Sequence, residues 1–383
     1  MADIFDGILG QPQVRTYLRR CIDSGRVSHA YLFTGPAGSN KTSAAYAFAQ
    51  ALLCEEGGCR TCDTCRRIAR RKHPDVRFYA PAGANGYLVE QIREIASDMT
   101  RAPIQASKKV YILDRADMLN AASANAFLKS LEEPPSDVLI ILLGRTVEAV
   151  LPTIVSRCQV VPFRFIPPQE ACGIICQKAA VSEQRARVAL EACDGSISRA
   201  IEFCSSNERM AFRTRVLSGL SQLRDDDDWD ILQLSSAFIA DAKVPLQAIR
   251  QAQEEEYEEY GEYLSRSALK QIEIRNKRAI SAKSFESLHQ LTAIIRSWVR
   301  DIMVTCAGTP ELVINVDARA SIDDAAALTD EVRAAGALAQ IQRYDSMFAY
   351  NVSPQSCMDA LLLSLRDTLF DSASAPHGTK RSR

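Results

Sequence analysis

The eight residues Gly35-Pro36-Ala37-Gly38-Ser39-Asn40-Lys41-Thr42 follow an apolar run, Ala30 to Thr34, and open an Ala-rich segment from Thr42 to Leu53. A strand that ends in a glycine-rich turn and passes directly into a helix aims backbone N–H groups at one point, at the positive end of the helix dipole. That is the arrangement of a phosphate-binding loop. In it Gly35 and Gly38 let the backbone approach the ligand, Lys41 pairs with the terminal phosphates, and the Thr42 hydroxyl holds Mg²⁺. One position departs from the pattern: Asn40 stands where glycine is expected before the lysine. Asn is the non-glycine residue that enters the left-handed region most readily, so the loop keeps its shape while its side chain crowds the nucleotide. Two readings stay open, a loop that binds ATP with Mg²⁺ and a vestigial turn that binds nothing.

The next 130 residues repeat the alternation of strand and helix. Asp75 to Tyr79, Val110 to Asp114, Val138 to Leu143 and Gln159 to Phe165 read as further strands, the third and fourth apolar almost throughout. Strands apolar on both faces and separated by helical segments argue for a parallel sheet covered by helices. Ile166-Pro167-Pro168 breaks the pattern. Short helices follow from Gln169 to about Ser205 around the turn Asp194-Gly195-Ser196. Beyond Asn207 the chain reads as helices, with apolar residues at helical spacing in Leu288, Leu291, Ile294, Ile295 and Val299. The fold class is therefore α/β followed by all-α. Asp225 to Asp228 reads as a solvated loop, and Glu254 to Glu256 with Glu258 and Glu259 as a solvated helix face.

A phosphate loop needs a partner acid at the end of a neighbouring strand, and Asp114 is so placed. The residue after it, where a hydrolytic site commonly has Glu to orient water, is Arg115, with Asp117 two further on. A cation does not act as that base. Efficient hydrolysis by this chain alone is not expected.

Cys54, Cys59, Cys62 and Cys65 form C-x4-C-x2-C-x2-C within polar, turn-forming surroundings, and the chain holds 12 cysteines in all. Four thiolates at this density suit tetrahedral structural zinc. An iron–sulfur cluster and free thiols are the competing readings. With no secretory signal at Met1–Asp6 and no apolar run of about 18 residues, the expectation is a cytoplasmic protein with a metal knuckle and no disulfide framework. Lys+Arg total 46 and Asp+Glu 47, a net charge of -1, so bulk charge gives no sign of a histone-like or membrane-surface protein.

These pieces resemble the clamp-loader subunits of bacterial DNA polymerase III, within the AAA+ ATPases. The resemblance runs on Ile8-Leu9-Gly10-Gln11, Ser28-His29-Ala30-Tyr31-Leu32-Phe33, the cysteine knuckle, Asn125 to Pro135, and Leu151-Pro152-Thr153-Ile154-Val155-Ser156-Arg157-Cys158. Gly195-Ser196 with Arg199-Ala200 resembles the sensor-2 motif of the family's lid. It implies a RecA-like domain over 1–166 with a zinc knuckle at 54–65, a helical lid over 167–207, and a helical collar over 208–371 that holds five subunits together. A polar, disordered tail over 372–383 is expected. The implied partners are gamma/tau and delta subunits, and, through the complex, the sliding clamp and primer-template DNA.

Within the family, Asn40 and Arg115 alter both ATPase motifs while Ser156-Arg157-Cys158 is retained, which resembles the stator branch, delta-prime. Asn315-Val316-Asp317 and Tyr350-Asn351-Val352 resemble that branch too. The resemblance implies that Arg157 acts in trans on the ATP of a neighbour, and that Arg199 senses phosphate if the loop is filled. The plain reading of Arg157 is a structural salt bridge. Glu132 and Glu133, adjacent and followed by two prolines, read as the end of a helix. An ATP-hydrolysing gamma/tau type is the alternative. A zinc-dependent nucleic-acid-binding module is a third reading, opposed by near-neutral charge and by the expected absence of a basic, aromatic-rich face.

Overall fold

In a computed structural model of the chain, residues 3–82, 86–260, 266–348 and 352–370 are described. The expected tail, together with Tyr350 and Asn351, lies outside them. The chain divides into two compact units, Met1–Glu183 with Asp194–Ile201, and Gln184–Cys193 with Glu202–Arg383. No helix among the described residues is long and apolar enough to cross a membrane.

In the first unit β1 (Ala30–Thr34), β2 (Val76–Tyr79), β3 (Lys109–Leu113), β4 (Val138–Gly144) and β5 (Gln159–Pro162) form one sheet in the order β2-β3-β4-β1-β5. Every pairing is parallel, with Leu32 opposite Leu142 and Val160. The helices are α1 (Pro12–Asp23), α2 (Lys41–Leu53), α3 (Asp63–Ala69), α4 (Val89–Met99), α5 (Ala121–Glu132) and α6 (Pro152–Val155). β1, β3 and β4 are buried at every position, as continuously apolar strands must be when helices cover both faces. The period-2 alternation assigns the two cores. Tyr31, Phe33, Ile112 and Ile141 pack on Phe48 of α2 and Leu18 of α1. Ala30, Leu32, Leu113 and Leu142 pack on Ile92 of α4 and Phe127 of α5.

This topology gathers the carboxyl ends of four strands, β1 to β4. The Gly35 N–H donates to the Arg145 carbonyl (2.9 Å) and the Asp114 N–H to the Tyr79 carbonyl (2.8 Å), so the glycine-rich turn and the acid lie at one edge of the sheet. That edge is where open α/β sheets bind ligands. α7 (Pro168–Ala179), α8 (Glu183–Ala192) and α9 (Ile197–Ser205) follow, with Asp194 (φ 50°) and Gly195 (φ 74°) making the left-handed turn before α9.

The second unit is helical: α10 (Asn207–Leu220), α11 (Asp228–Tyr260), α12 (Arg266–Cys306), α13 (Arg319–Ala326), α14 (Glu331–Met347) and α15 (Pro354–Phe370). Leu288, Leu291, Ile294, Ile295 and Val299 are all buried on α12, as their spacing requires, with Trp298 among them. A polar knot crosses this core. Arg213, 2% exposed, donates to Asn315 Oδ1 (2.6 Å) and to both oxygens of Asp317 (2.6 and 2.8 Å). Asn315 in turn donates to Ser297 Oγ (2.8 Å) and Asp301 Oδ2 (2.8 Å).

Candidate functional site

The loop has left-handed backbone at Asn40 (φ 68°) and Gly38 (φ 77°), and Gly35 is positive as well (φ 154°). Asn40 takes the conformation glycine would supply. Its side chain does not point to a ligand position. Asn40 Nδ2 donates to the Leu9 carbonyl (2.9 Å), and Asn40 Oδ1 accepts from the Ser198 hydroxyl (3.0 Å). Gln11, 2% exposed, braces the same place by donating to the carbonyls of Arg164 (2.8 Å) and Ser39 (3.3 Å).

Lys41 is turned onto its own loop. Its ammonium donates to the carbonyls of Gly35 (2.6 Å) and Pro36 (2.7 Å) and to Ser39 Oγ (3.2 Å). A lysine has three donors, and all three are used here. The turn before α9 is pressed on the loop: a Cβ at Gly38 would stand 2.3 Å from the Gly195 carbonyl oxygen. A phosphate entering this loop has to displace internal acceptors first. Burial pushes the Lys41 ammonium down, against the pull of the Asp114 and Asp117 carboxylates. Burial likewise pushes Asp114 up, against the Arg115 backbone N–H, the Arg115 charge and the Lys41 charge. The two acids therefore lie close to Lys41, while Arg115, itself left-handed at φ 51°, is exposed. Asp117 Oδ1 is buried with no hydrogen-bond partner. Thr42 lies in the first turn of α2 and Arg199 in the first turn of α9, next to the Ser198 that holds Asn40.

The four cysteines converge. Cys54 ends α2, Cys62 caps the start of α3, and Cys65 is wholly buried in its first turn. Their sulfurs all lie within 4.8 Å of one another, with Cys54 Sγ 3.6 Å from Cys59 Sγ and 3.8 Å from Cys62 Sγ. Tetrahedral Zn–S bonds of ~2.3 Å put ligand sulfurs about 3.8 Å apart, so the cluster fits that ion. Backbone N–H groups of Cys59, Cys62 and Cys65 donate to the sulfurs of Cys54, Cys59 and Cys62 at 3.3 to 3.5 Å. The Thr61 hydroxyl and then the Cys62 N–H draw Cys59 down to about 6. Burial drives the Cys65 thiol well up. A buried thiol of that kind is suited to a cation and ill-suited to standing as a bare thiolate. Gln50 donates to the Cys65 carbonyl (2.9 Å) and ties α3 to α2.

Arg157 follows α6, one third exposed. Its Nε donates to Glu132 Oε1 (2.9 Å), its Nη2 contacts the same oxygen, and its Nη1 donates to the Thr153 carbonyl (3.0 Å) and Ser156 Oγ (3.1 Å).

Known proteins resemble this chain over its N-terminal part. The family model described as DNA polymerase III, delta subunit, matches residues 10–167. The delta' subunit of DNA polymerase III from Bacillus subtilis is 34% identical over 210 residues, 54% of this chain and 63% of that one. Over this stretch the chain is similar to subunits of the DNA polymerase III clamp loader. A gamma/tau subunit from Mycobacterium tuberculosis is 36% identical over 184 residues, 46% of this chain and 32% of that one. The chain thus spans less than two thirds of the length of these relatives. A gamma-subunit-related protein from Thermotoga maritima superposes with a TM-score of 0.45 at 17% identity, covering 93% of this chain and 99% of that one.

In this chain, Gly35, Gly38, Lys41, Thr42 and Asp114 share one edge of the sheet, and the four cysteines form one cluster. Arg157 takes no part in either. One residue was illegible in sequence. Glu132 reads as the end of a helix, and it is the last residue of α5, yet its carboxylate also orients Arg157 across 25 positions. No local pattern marks it, because its partner lies in a different element.

Proposed function

We propose that this chain is a delta-prime-type subunit of a DNA polymerase III clamp loader, a stator that does not hydrolyse ATP itself. Its partners are gamma/tau and delta subunits, and through them the sliding clamp and primer-template DNA. Arg157 is assigned to the ATP bound by a neighbouring subunit. The observation that carries this reading is a contrast within one domain. Lys41 spends its donors on its own loop, whereas Arg157 presents a guanidinium at the surface, held by Glu132 and two oxygens of the Thr153–Ser156 turn. A fixed fork of donors aimed at a γ-phosphate stabilises the charge that develops there in the transition state. The domain reading remains RecA-like 1–166, lid 167–207 and collar 208–371, in a cytoplasmic protein.

Cys54, Cys59, Cys62 and Cys65 are assigned to one structural zinc ion. Zinc supplies a cross-link between the end of α2 and the start of α3, and the residues contribute the sulfurs and the N–H donors that orient them. The second reading, an ATP-hydrolysing gamma/tau type, draws on the nearness of Asp114 and Asp117 to Lys41.

The test is a reconstituted complex carrying Arg157→Ala, with assembly checked by gel filtration. Removing an arginine finger costs ~10³-fold or more at the affected site. Total ATP turnover falls by less, since other sites keep their own arginines, and clamp loading falls with it. Intact assembly with unchanged turnover and loading would mean that Arg157 only holds Glu132. Steady hydrolysis by the isolated chain at about 1 s⁻¹ or more, the range of working enzymes, favours the gamma/tau reading.

A further inference from the structure

The chain's near-neutral balance conceals one face on which the fold collects cations beside an aromatic stack. α3 and the turn behind it carry Arg66, Arg67, Arg70, Arg71 and Lys72, all exposed. Arg67 is paired with Asp63 (2.6 Å). Among the described residues no acid is placed against Arg66, Arg70 or Lys72, and Arg66 and Arg70 are four positions apart, one above the other where α3 ends. Arg71 lies over the Tyr46 ring, 5.2 Å from its centroid. Tyr46 stacks on Phe78, with centroids 6.4 Å apart and planes at 20°. Phe78 belongs to β2, the edge strand, and remains 38% exposed. The fold thus joins what the sequence separates: a run of arginines at 66–72 and an open aromatic ring at 78.

We propose that this face binds single-stranded nucleic acid. Phosphates would meet Arg66, Arg70 and Lys72, and a base would stack on the exposed Phe78 ring beside Tyr46 and Arg71. Cations that follow the backbone and an aromatic platform for unpaired bases are the two parts such recognition requires. A duplex offers the phosphates but keeps its base faces stacked internally. An acidic peptide offers the charge but nothing flat for Phe78. The proposal stands apart from the stator reading, since neither Arg157 nor the glycine-rich loop takes part.

The experiment uses the full chain, purified with its zinc, and a fluorescein-labelled 20-nucleotide oligo-dT followed by anisotropy. Three phosphate contacts give a slope of log affinity on log salt of about -2, so raising salt from 50 to 200 mM weakens binding about 20-fold. Arg66→Ala/Arg70→Ala/Lys72→Ala is expected to bind at least tenfold more weakly with the slope nearly abolished. Phe78→Ala is expected to lose about fivefold or more with the slope unchanged. Zinc content and melting temperature equal to wild type establish that the variants are folded. Oligo-U is expected to bind within threefold of oligo-dT, because nothing on this face reads the sugar. The proposal fails if binding is independent of salt or if the triple variant binds as wild type. It fails equally if a 20-base-pair duplex or poly-glutamate competes as well as oligo-dT, or if either sugar is preferred tenfold.

Discussion

Asn40 illustrates how one side chain ties a loop to distant segments. At φ 68° glycine carries no steric penalty, and Asn is tolerated there because its amide finds local partners. Here the partners are the Leu9 carbonyl and the Ser198 hydroxyl, on segments before and after the sheet. Each such neutral bond is worth about 0.5–1.5 kcal/mol net, so the pair is worth roughly a tenfold change in an equilibrium. Asn40→Gly keeps the backbone and removes both tethers. It is expected to raise affinity for a fluorescent ATP analogue about tenfold, read by titration of the isolated chain, without restoring turnover. Adding Arg115→Glu supplies a group able to orient water, and turnover should then rise. Unchanged nucleotide affinity in Asn40→Gly would show that the tethers do not guard the loop.

At the scale of elements, the knuckle is the piece least able to stand alone. α3 has seven residues, too few to persist as a helix without outside support. Its support is the sulfur cluster at its first turn and the Gln50 bond to the Cys65 carbonyl. Elemental analysis of protein purified without added metal is expected to find one zinc per chain. A content near zero, or iron, removes the assignment. Chelation is expected to abolish hydrogen-exchange protection over 63–72 while that of β1, β3 and β4 persists. Zinc binding expels the protons of thiols that must be deprotonated, so its affinity falls as pH falls. Cys59, drawn down to about 6, is already a thiolate at neutral pH and protonates as pH passes below that value. Zinc affinity should therefore fall as pH falls and fall more steeply below about pH 6, where Cys59 binds a proton as well.

For the molecule as a whole, two units with separate cores are expected to unfold in two calorimetric transitions. Chelating zinc should lower only the transition of the first unit. Arg213→Ala should lower only that of the second, because it strands Asn315 and a carboxylate that the guanidinium had neutralised. Breaking a buried pair in this way costs about 3–5 kcal/mol, the lower end applying here since Asp317 is half exposed. The hydrogen bonds from Arg213 hold Asp317 below the usual carboxylate range. A depressed folded value means stability that is present above the unfolded pKa of about 3.9 and is lost as pH falls through the folded one. The second transition is thus expected to move down in acid, and to lose much of that sensitivity in Arg213→Ala. A single transition that responds equally to both perturbations would refute the division.

What the sequence by itself determined was local or periodic. The five strands, the parallel sheet, the glycine-rich turn at the end of β1, the buried face of α12 and the cysteine spacing were legible because each is written in neighbouring residues. Strand ends moved by at most three residues, the fifth stopping at Pro162 short of Phe165. Tertiary structure alone decided where polar side chains spend their hydrogen bonds. Glu132 meets Arg157 across 25 positions, Asn40 meets Ser198 across 158, and Arg213 meets Asp317 across 104. Lys41 is the sharpest case, since its motif places it on a phosphate and the folded loop places it on two of its own carbonyls. Periodicity reports which face of an element is apolar, because burial of apolar area acts without direction. A hydrogen bond needs a particular partner at a particular angle, and in this chain those partners come together only when distant segments pack.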